Sequence, residues 1–290
     1  MKAFPRKIML VQIVAAIIIT GGFSAVVLMK GWNPAVLFVG PLIGVIYFLI
    51  SSRRYFRRKK LLRDPMRKEW KKLLCDRVPY YAELKDEGKR QFENDVRIFI
   101  QEQNIYGPRG EPVTDEERIL VAASAAILCH GMPEWEWPNM RDIVVYKKTF
   151  NEQYEEGDGE SISGMVHSQG PIIFSENHLK LGYKRFDDGY NVGIHELAHV
   201  MDMASGAADG VPLGMNWMAT APWVEIMARQ IKRKFRGRKK EVLSEYSKTN
   251  QAEFFAVAVE NFFEKPKQLK EKEPELYEVL KAYFNQDPLQ

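Results

Sequence analysis

A chain of 290 residues is long enough for one large domain or two modest ones. Its 28% charged and 46% hydrophobic residues are those of an ordinary globular protein, and a formal net charge of only +4 excludes the global basic signature of nucleic-acid binding. Cys75 and Cys129 stand far apart in no metal-binding spacing, so both read as reduced, mostly buried thiols, and nothing demands an oxidising compartment.

The averages hide an asymmetry, because the first fifty residues are almost free of charge. Ile8 to Met29 is an uncharged run of about 22 residues, enough to cross a bilayer at 1.5 Å per residue. Gly31 to Ser52 is a second, with its apolar core from Ala35 to Ile50. Only Lys30 and a turn through Trp32, Asn33 and Pro34 separate them, so the two helices are expected to be antiparallel neighbours, with Gly40 and Gly44 in small-xxx-small spacing. A signal peptide with Lys2, Arg6 and Lys7 as its basic start is the competing reading. The first run is long for that, lacks a clear cleavage site, and is followed at once by the second. The expectation is therefore a transmembrane hairpin over residues 1–52 (spans about 8–29 and 33–51), then a basic juxtamembrane linker over 53–66.

Lys2, Arg6 and Lys7 on one side of the hairpin, and Arg53, Arg54, Arg57, Arg58, Lys59, Lys60 and Arg63 on the other, outnumber the lone Lys30 of the turn. Positive-inside logic then keeps both flanks, and residues 67–290, in the cytoplasm. The basic run faces anionic headgroups on this reading. Without interleaved aromatics or a recognisable module, it does not read as a nucleic-acid site.

Downstream, Pro65 opens a short helix over Met66–Asp76, and Lys85–Gln103 reads as another with Phe92, Val96 and Phe99 near its apolar face. Thr114 with Glu117 is a capping-box signature at the head of an all-round apolar helix running to about His130. Ile143–Tyr146 and Pro171–Ser175 read as short strands, with a loop or hairpin over Gly157–Gly170 between them. Pro222 starts a helix, Lys232–Lys240 is an exposed basic turn, Asn250–Phe263 is a strong helix, and Pro274–Phe284 is the last. The fold class is α+β, mostly helical, with a small sheet.

The chemistry lies in Gly193-Ile194-His195-Glu196-Leu197-Ala198-His199-Val200-Met201-Asp202. Histidines at i and i+4 share one helix face and can both reach one Zn²⁺. Glu196 sits beside the metal, where it can take a proton from metal-activated water and return it to a leaving amine. Asp202, one turn past His199, suits a carboxylate that fixes an imidazole tautomer, or a polar residue near the helix end. A catalytic zinc needs a third ligand, and no histidine follows His199. Glu253, in an apolar helix, is the favoured oxygen donor; Glu260, a heptad later on the same face, is the second choice and otherwise, like Asp202, a carboxylate that supports the ligands from outside. Asn250 and Glu253 also read as a capping box. Tyr246 is placed to donate to a developing oxyanion, or simply to pack its ring.

These segments resemble the family of Mlc titration factor A, bacterial zinc peptidases. The likeness runs from about Lys68 to the C-terminus. It includes the histidine motif, Gly210-Val211-Pro212, Ala252-Glu253-Phe254-Phe255-Ala256-Val257, Glu260-Asn261-Phe262-Phe263 and Tyr283-Phe284-Asn285-Gln286-Asp287-Pro288-Leu289. It implies a zincin-like metallopeptidase domain over 67–290, of gluzincin type. His195, His199 and Glu253 would be its ligands, Glu196 its base and Tyr246 a tyrosine near the metal. It further implies aminopeptidase-like activity and, for the founding member, a glucose-responsive transcriptional repressor as partner. The hairpin and the basic 232–240 stretch depart from that pattern.

Two functions are carried forward. One is a zinc peptidase at the cytoplasmic face of a bacterial inner membrane, with a peptide backbone pairing along the Pro171–Ser175 strand and its scissile carbonyl over the metal. The other is a regulatory protein that uses the same fold to sequester a partner such as a transcriptional regulator, with no direct nucleic-acid binding.

Overall fold

The computed structural model describes residues 6–32, 34–138, 140, 142–149, 164–166, 170–215, 217–233, 243 and 250–290. The chain divides into two units, Met1–Pro65 and Met66–Gln290.

In the first unit, α1 (Arg6–Met29) is followed by a 3₁₀ turn (Pro34–Phe38), α2 (Val39–Ser51) and α3 (Arg53–Leu61). Among the described residues, one helix segment, Met9–Met29, is by itself long and apolar enough to cross a membrane, as a signal sequence also is. The segment Val36–Ser51 passes the same test only together with α3, from which it is bent by 44°. The helices α1 and α2 run antiparallel. Gln12 at one end donates to Ser51 O at 2.9 Å and accepts from Ser52 Oγ at 2.9 Å, while Thr20 Oγ1 donates to Gly40 O at 3.4 Å. A side chain at Gly44 would bring its Cβ within 2.2 Å of Thr20 Oγ1, so this approach requires glycine. The segment expected as a linker is helical through Leu61.

The second unit opens with α4 (Lys68–Arg77), α5 (Pro79–Glu83) and α6 (Asp86–Glu102), then β1 (Ile105–Tyr106). Next comes α7 (Asp115–Cys129), whose capping box forms as its sequence pattern predicts: Thr114 Oγ1 accepts from Glu117 N at 3.3 Å and the Glu117 carboxylate reaches back to Thr114 N. Ile119 to Cys129 are all buried, so α7 is the central helix. Burial pushes the Cys129 thiol up to about 12, whereas Cys75, expected to be covered, is exposed, because it lies on the outer face of α4. Both are free thiols.

The sheet combines β1 with β2 (Ile143–Tyr146), β3 (Gly164–Val166) and β4 (Ile172–Ser175) in the order β1-β2-β4-β3. The β1/β2 and β2/β4 pairs are parallel, the latter in register Ile143↔Ile172 to Tyr146↔Ser175. The β3/β4 pair is antiparallel, with Gly164↔Phe174 and Val166↔Ile172. This corrects one expectation: the Pro171–Ser175 segment is not a free edge. Both sides of β4 are taken, by β2 and β3, and the outer strands of the sheet among the described residues are β1 and β3.

After α8 (Glu176–Lys184) come α9 (Val192–Met203) and α10 (Trp217–Arg233). Pro222 lies inside α10 rather than at its start, at the cost of one backbone hydrogen bond. The chain closes with α11 (Gln251–Glu264), α12 (Pro266–Lys272) and α13 (Pro274–Phe284). Phe254, Phe255 and Phe262 of α11 are fully buried, each contributing on the order of 1.5–3 kcal/mol. Trp223 of α10 packs on Phe254 and Phe255 with ring centroids 5.4 and 5.8 Å away. This core holds α11 against α9.

Candidate metal centre

Each of the two site helices starts on an asparagine. Asn191 Oδ1 accepts from Ile194 N at 3.2 Å and opens α9; Asn250 Oδ1 accepts from Glu253 N at 2.9 Å and opens α11. The capping box read at Asn250 and Glu253 is thus half made. The asparagine caps, but the Glu253 carboxylate is directed to the imidazoles.

From α9, one turn of helix brings His195 Nε2 and His199 Nε2 to 3.2 Å of each other. Glu253 Oε2 is 3.2 Å from His195 Nε2, and Oε1 is 3.5 Å from His199 Nε2. Four tetrahedral bonds of 2.0–2.1 Å set neighbouring donor atoms about 3.3 Å apart, so these three separations fit one shared ion. Glu253 Oε2 is also buried without a hydrogen-bond partner. An acceptor left in that condition is costly unless a cation completes it. Two nitrogens and a carboxylate oxygen are the donor set of a zinc site with room for a further ligand.

Glu260 holds the far side of His195. Its Oε2 lies 3.1 Å from His195 Nδ1, and its Oε1 accepts the Asn191 N–H at 2.8 Å. That pairing favours a proton on Nδ1, so Nε2, which faces Glu253 and His199, is the nitrogen that could ligate an ion on losing its own proton. Burial opposes a charge on His195, but Glu260, Glu253 and Glu196 outweigh it and hold its pKa well above the ordinary histidine value. Burial likewise works against the Glu253 carboxylate, yet His195 and His199 bring it down to about 2. Three carboxylates around two imidazoles are an environment that favours a cation. We expect Glu260→Gln to weaken zinc affinity by about 10–100-fold, read by competition with a chromophoric chelator; unchanged affinity would show that Glu260 does not tune the ligand.

Glu196 is 6% exposed, and burial pushes its carboxyl up to about 7. It lies under the sheet edge: a Cβ at Gly164 of β3 would come within 2.5 Å of Glu196 Oε1. Only glycine lets the strand pass so close.

Asp202, expected as an imidazole partner, makes a different bond. Its Oδ2 accepts from Gly210 N at 3.0 Å, and Gly210 O accepts from Trp223 Nε1 at 2.6 Å, so Asp202 ties down the loop after α9. Glu260, the other carboxylate expected outside the ligand set, is the one that meets an imidazole. Tyr246 and most of the basic 232–240 stretch lie outside the described residues. Sequence reasoning missed Asn191 and Gly164. An asparagine three residues before Ile194 is an N-cap signal that was there to be found, whereas the position of Gly164 depends on strand pairing alone.

Glu264, one turn beyond Glu260, is a further buried acid. Burial pushes its carboxyl up to about 8, and Glu260 and Asp188 add to the effect. Its folded pKa is therefore above the ordinary 4.5, and the folded state loses stability as pH rises through the interval between the two values. Glu264→Gln removes that loss. The variant's free energy of unfolding should match wild type near pH 5 and exceed it at pH 8.5 by an amount on the order of a few kcal/mol, read from denaturant titrations at the two pH values. An offset that does not change with pH would contradict this.

Residues 52–285 match the profile of a family described as glucose-regulated metallo-peptidase M90. The chain is 30% identical over 270 residues to an uncharacterized protein of Synechocystis sp., covering 88% of this chain and 98% of that one. It is 29% identical over 229 residues to Mlc titration factor A of Pectobacterium atrosepticum (73% of this chain, 84% of that one). It is 27% identical over 230 residues to Mlc titration factor A of Edwardsiella ictaluri (73% and 86%).

Proposed function

This chain belongs to the glucose-regulated metallo-peptidase M90 family, and on that premise we propose that it is a membrane-anchored zinc peptidase of gluzincin type, with a zincin-like catalytic domain and aminopeptidase-like specificity. The observation that supports this most is the convergence of His195, His199 and Glu253 on one point, with Glu196 on the same helix. Those three residues would hold the ion, which when bound polarises a carbonyl and lowers the pKa of a water. Glu196 takes the proton from the attacking water and delivers it to the leaving amine. Glu260, itself held by the Asn191 amide, keeps His195 in the tautomer that can ligate. The side of β3 away from β4, which pairs with no strand among the described residues, is where an extended peptide would pair beside Glu196, replacing the β4 edge expected from sequence. Tyr246 remains the proposed oxyanion donor.

The anchor in this reading is α1 with the Val36–Ser51 segment, as two spans of a bacterial inner membrane. The basic flanks keep the catalytic unit on the cytoplasmic side.

The test is metal dependence. Purified full-length protein in mild detergent should carry about one zinc per chain. Its hydrolysis of fluorogenic aminoacyl and peptide substrates should disappear with 1,10-phenanthroline and return with zinc. Hydrolysis that persists in demonstrably metal-free protein would sink the proposal. The name Mlc titration factor A, borne by several relatives, favours a second reading in which this chain captures a transcriptional regulator.

A further inference from the structure

We propose that α3 is an anionic-lipid-binding helix that leaves the membrane obliquely through the headgroup layer, its cations on lipid phosphates and Phe56 in the headgroup–acyl boundary. This rests on the anchored reading above and deepens it.

The first observation is one of charge. No Asp or Glu precedes Asp64, so the whole of the first unit up to that point is uncompensated by acid. The second concerns how α3 displays its cations. At about 100° per residue, Lys59, Phe56, Lys60, Arg53 and Arg57 occupy one contiguous face of the helix, and all five are exposed. Tyr55, Arg54, Leu61 and the fully buried Arg58 take the opposite arc and are more covered. Phe56, 47% exposed, sits on the basic face between Lys59 and Lys60. Arg53, Arg57, Lys59 and Lys60 make no ion pair among the described residues.

Direction supplies the third observation. The helix leaves the apolar segment before it at 44°, with only Ser52 between. A basic helix that simply continued the apolar axis would carry its charges away from the bilayer. Bent by 44°, α3 rises only about 10 Å along that axis over its nine residues, so its long basic side chains stay within reach of the headgroups. An exposed aromatic amid lysines and arginines, next to an apolar helix, is the composition of an interfacial helix. Each cation near an anionic surface is worth about fivefold in partitioning. A nucleic acid would satisfy the charges but would leave Phe56 and the adjacent apolar helices unexplained.

The experiment uses the full chain in nanodiscs of phosphatidylcholine with phosphatidylglycerol, released into mild detergent for native mass spectrometry of retained lipid. Wild type should retain phosphatidylglycerol over phosphatidylcholine by at least about tenfold. The R53Q/R57Q/K59Q/K60Q variant should lose that preference, and the charge-conserving R53K/R57K/K59R/K60R variant should keep it. Equal retention of both lipids by wild type overturns the proposal. So does displacement of the lipid by millimolar inorganic phosphate, which would make the site one for free phosphate, or a preference for a labelled oligonucleotide over lipid. Washing membranes with alkaline carbonate separates the two readings. Release of the wild-type chain sinks the anchor and the proposal with it, whereas retention without lipid preference overturns α3 alone.

Discussion

Glu196→Gln is expected to lower kcat/KM for peptide hydrolysis by at least about 10²–10⁴-fold while leaving fold and zinc content unchanged. The three donor atoms that converge come from His195, His199 and Glu253, so the amide removes no ligand. Glutamine has the same shape in the narrow space beneath Gly164. It also carries no charge where burial already disfavours one, so stability should be equal to or above wild type. What the amide cannot do is accept a proton from water. Activity, zinc content and melting temperature of the purified variant should be measured together. A folded, zinc-loaded variant with undiminished hydrolysis would remove Glu196 as the base. If capture of a regulator survives this substitution intact, that function needs no hydrolysis and the second reading gains.

Glu253→Ala should act at the other level, on metal rather than proton. It removes the only donor that α11 gives to the converging set. The two imidazoles left on α9 form an incomplete site, so zinc affinity should fall well beyond the about 10–100-fold expected of an outer partner such as Glu260. The α11 cap should persist, because Asn250 bonds the backbone amide of residue 253 and not its side chain. Hydrolysis should therefore vanish with the metal while the helical circular-dichroism signal stays. Full zinc occupancy in the alanine variant, measured by elemental analysis after dialysis, would mean that another residue is the third ligand.

Much of the site was legible because its parts are local. Histidines four apart on an apolar run meet on one face whatever surrounds the helix, and the Thr114–Glu117 box sets the start of α7 through bonds spanning a single turn. Ile143–Tyr146 is a strand by its branched residues alone, and it forms with those bounds. Short elements such as β1 and α8 escape this kind of reading. Two residues of strand carry no period, and α8 owes its helix to Leu179 and Tyr183 burying themselves, with Tyr183 OH bonded to Leu120 O of α7.

By itself, then, the sequence determined that His195, Glu196 and His199 share one helix, that an apolar segment stands at the N-terminus, and which carboxylates could join the two histidines. Only the tertiary structure decided how those carboxylates are used. Glu253 and Glu260 are a heptad apart on one face of α11, about 10 Å along its axis, and equivalent by pattern. Packing sets the His195 ring between them, so that Glu253 meets Nε2 and Glu260 meets Nδ1. The same long-range pairing closed both sides of β4 and put β3, an outer strand among the described residues, beside Glu196. Helical period is written in neighbouring residues, but which edge of an imidazole a distant carboxylate reaches depends on how two helices cross, and that is set by the core between them.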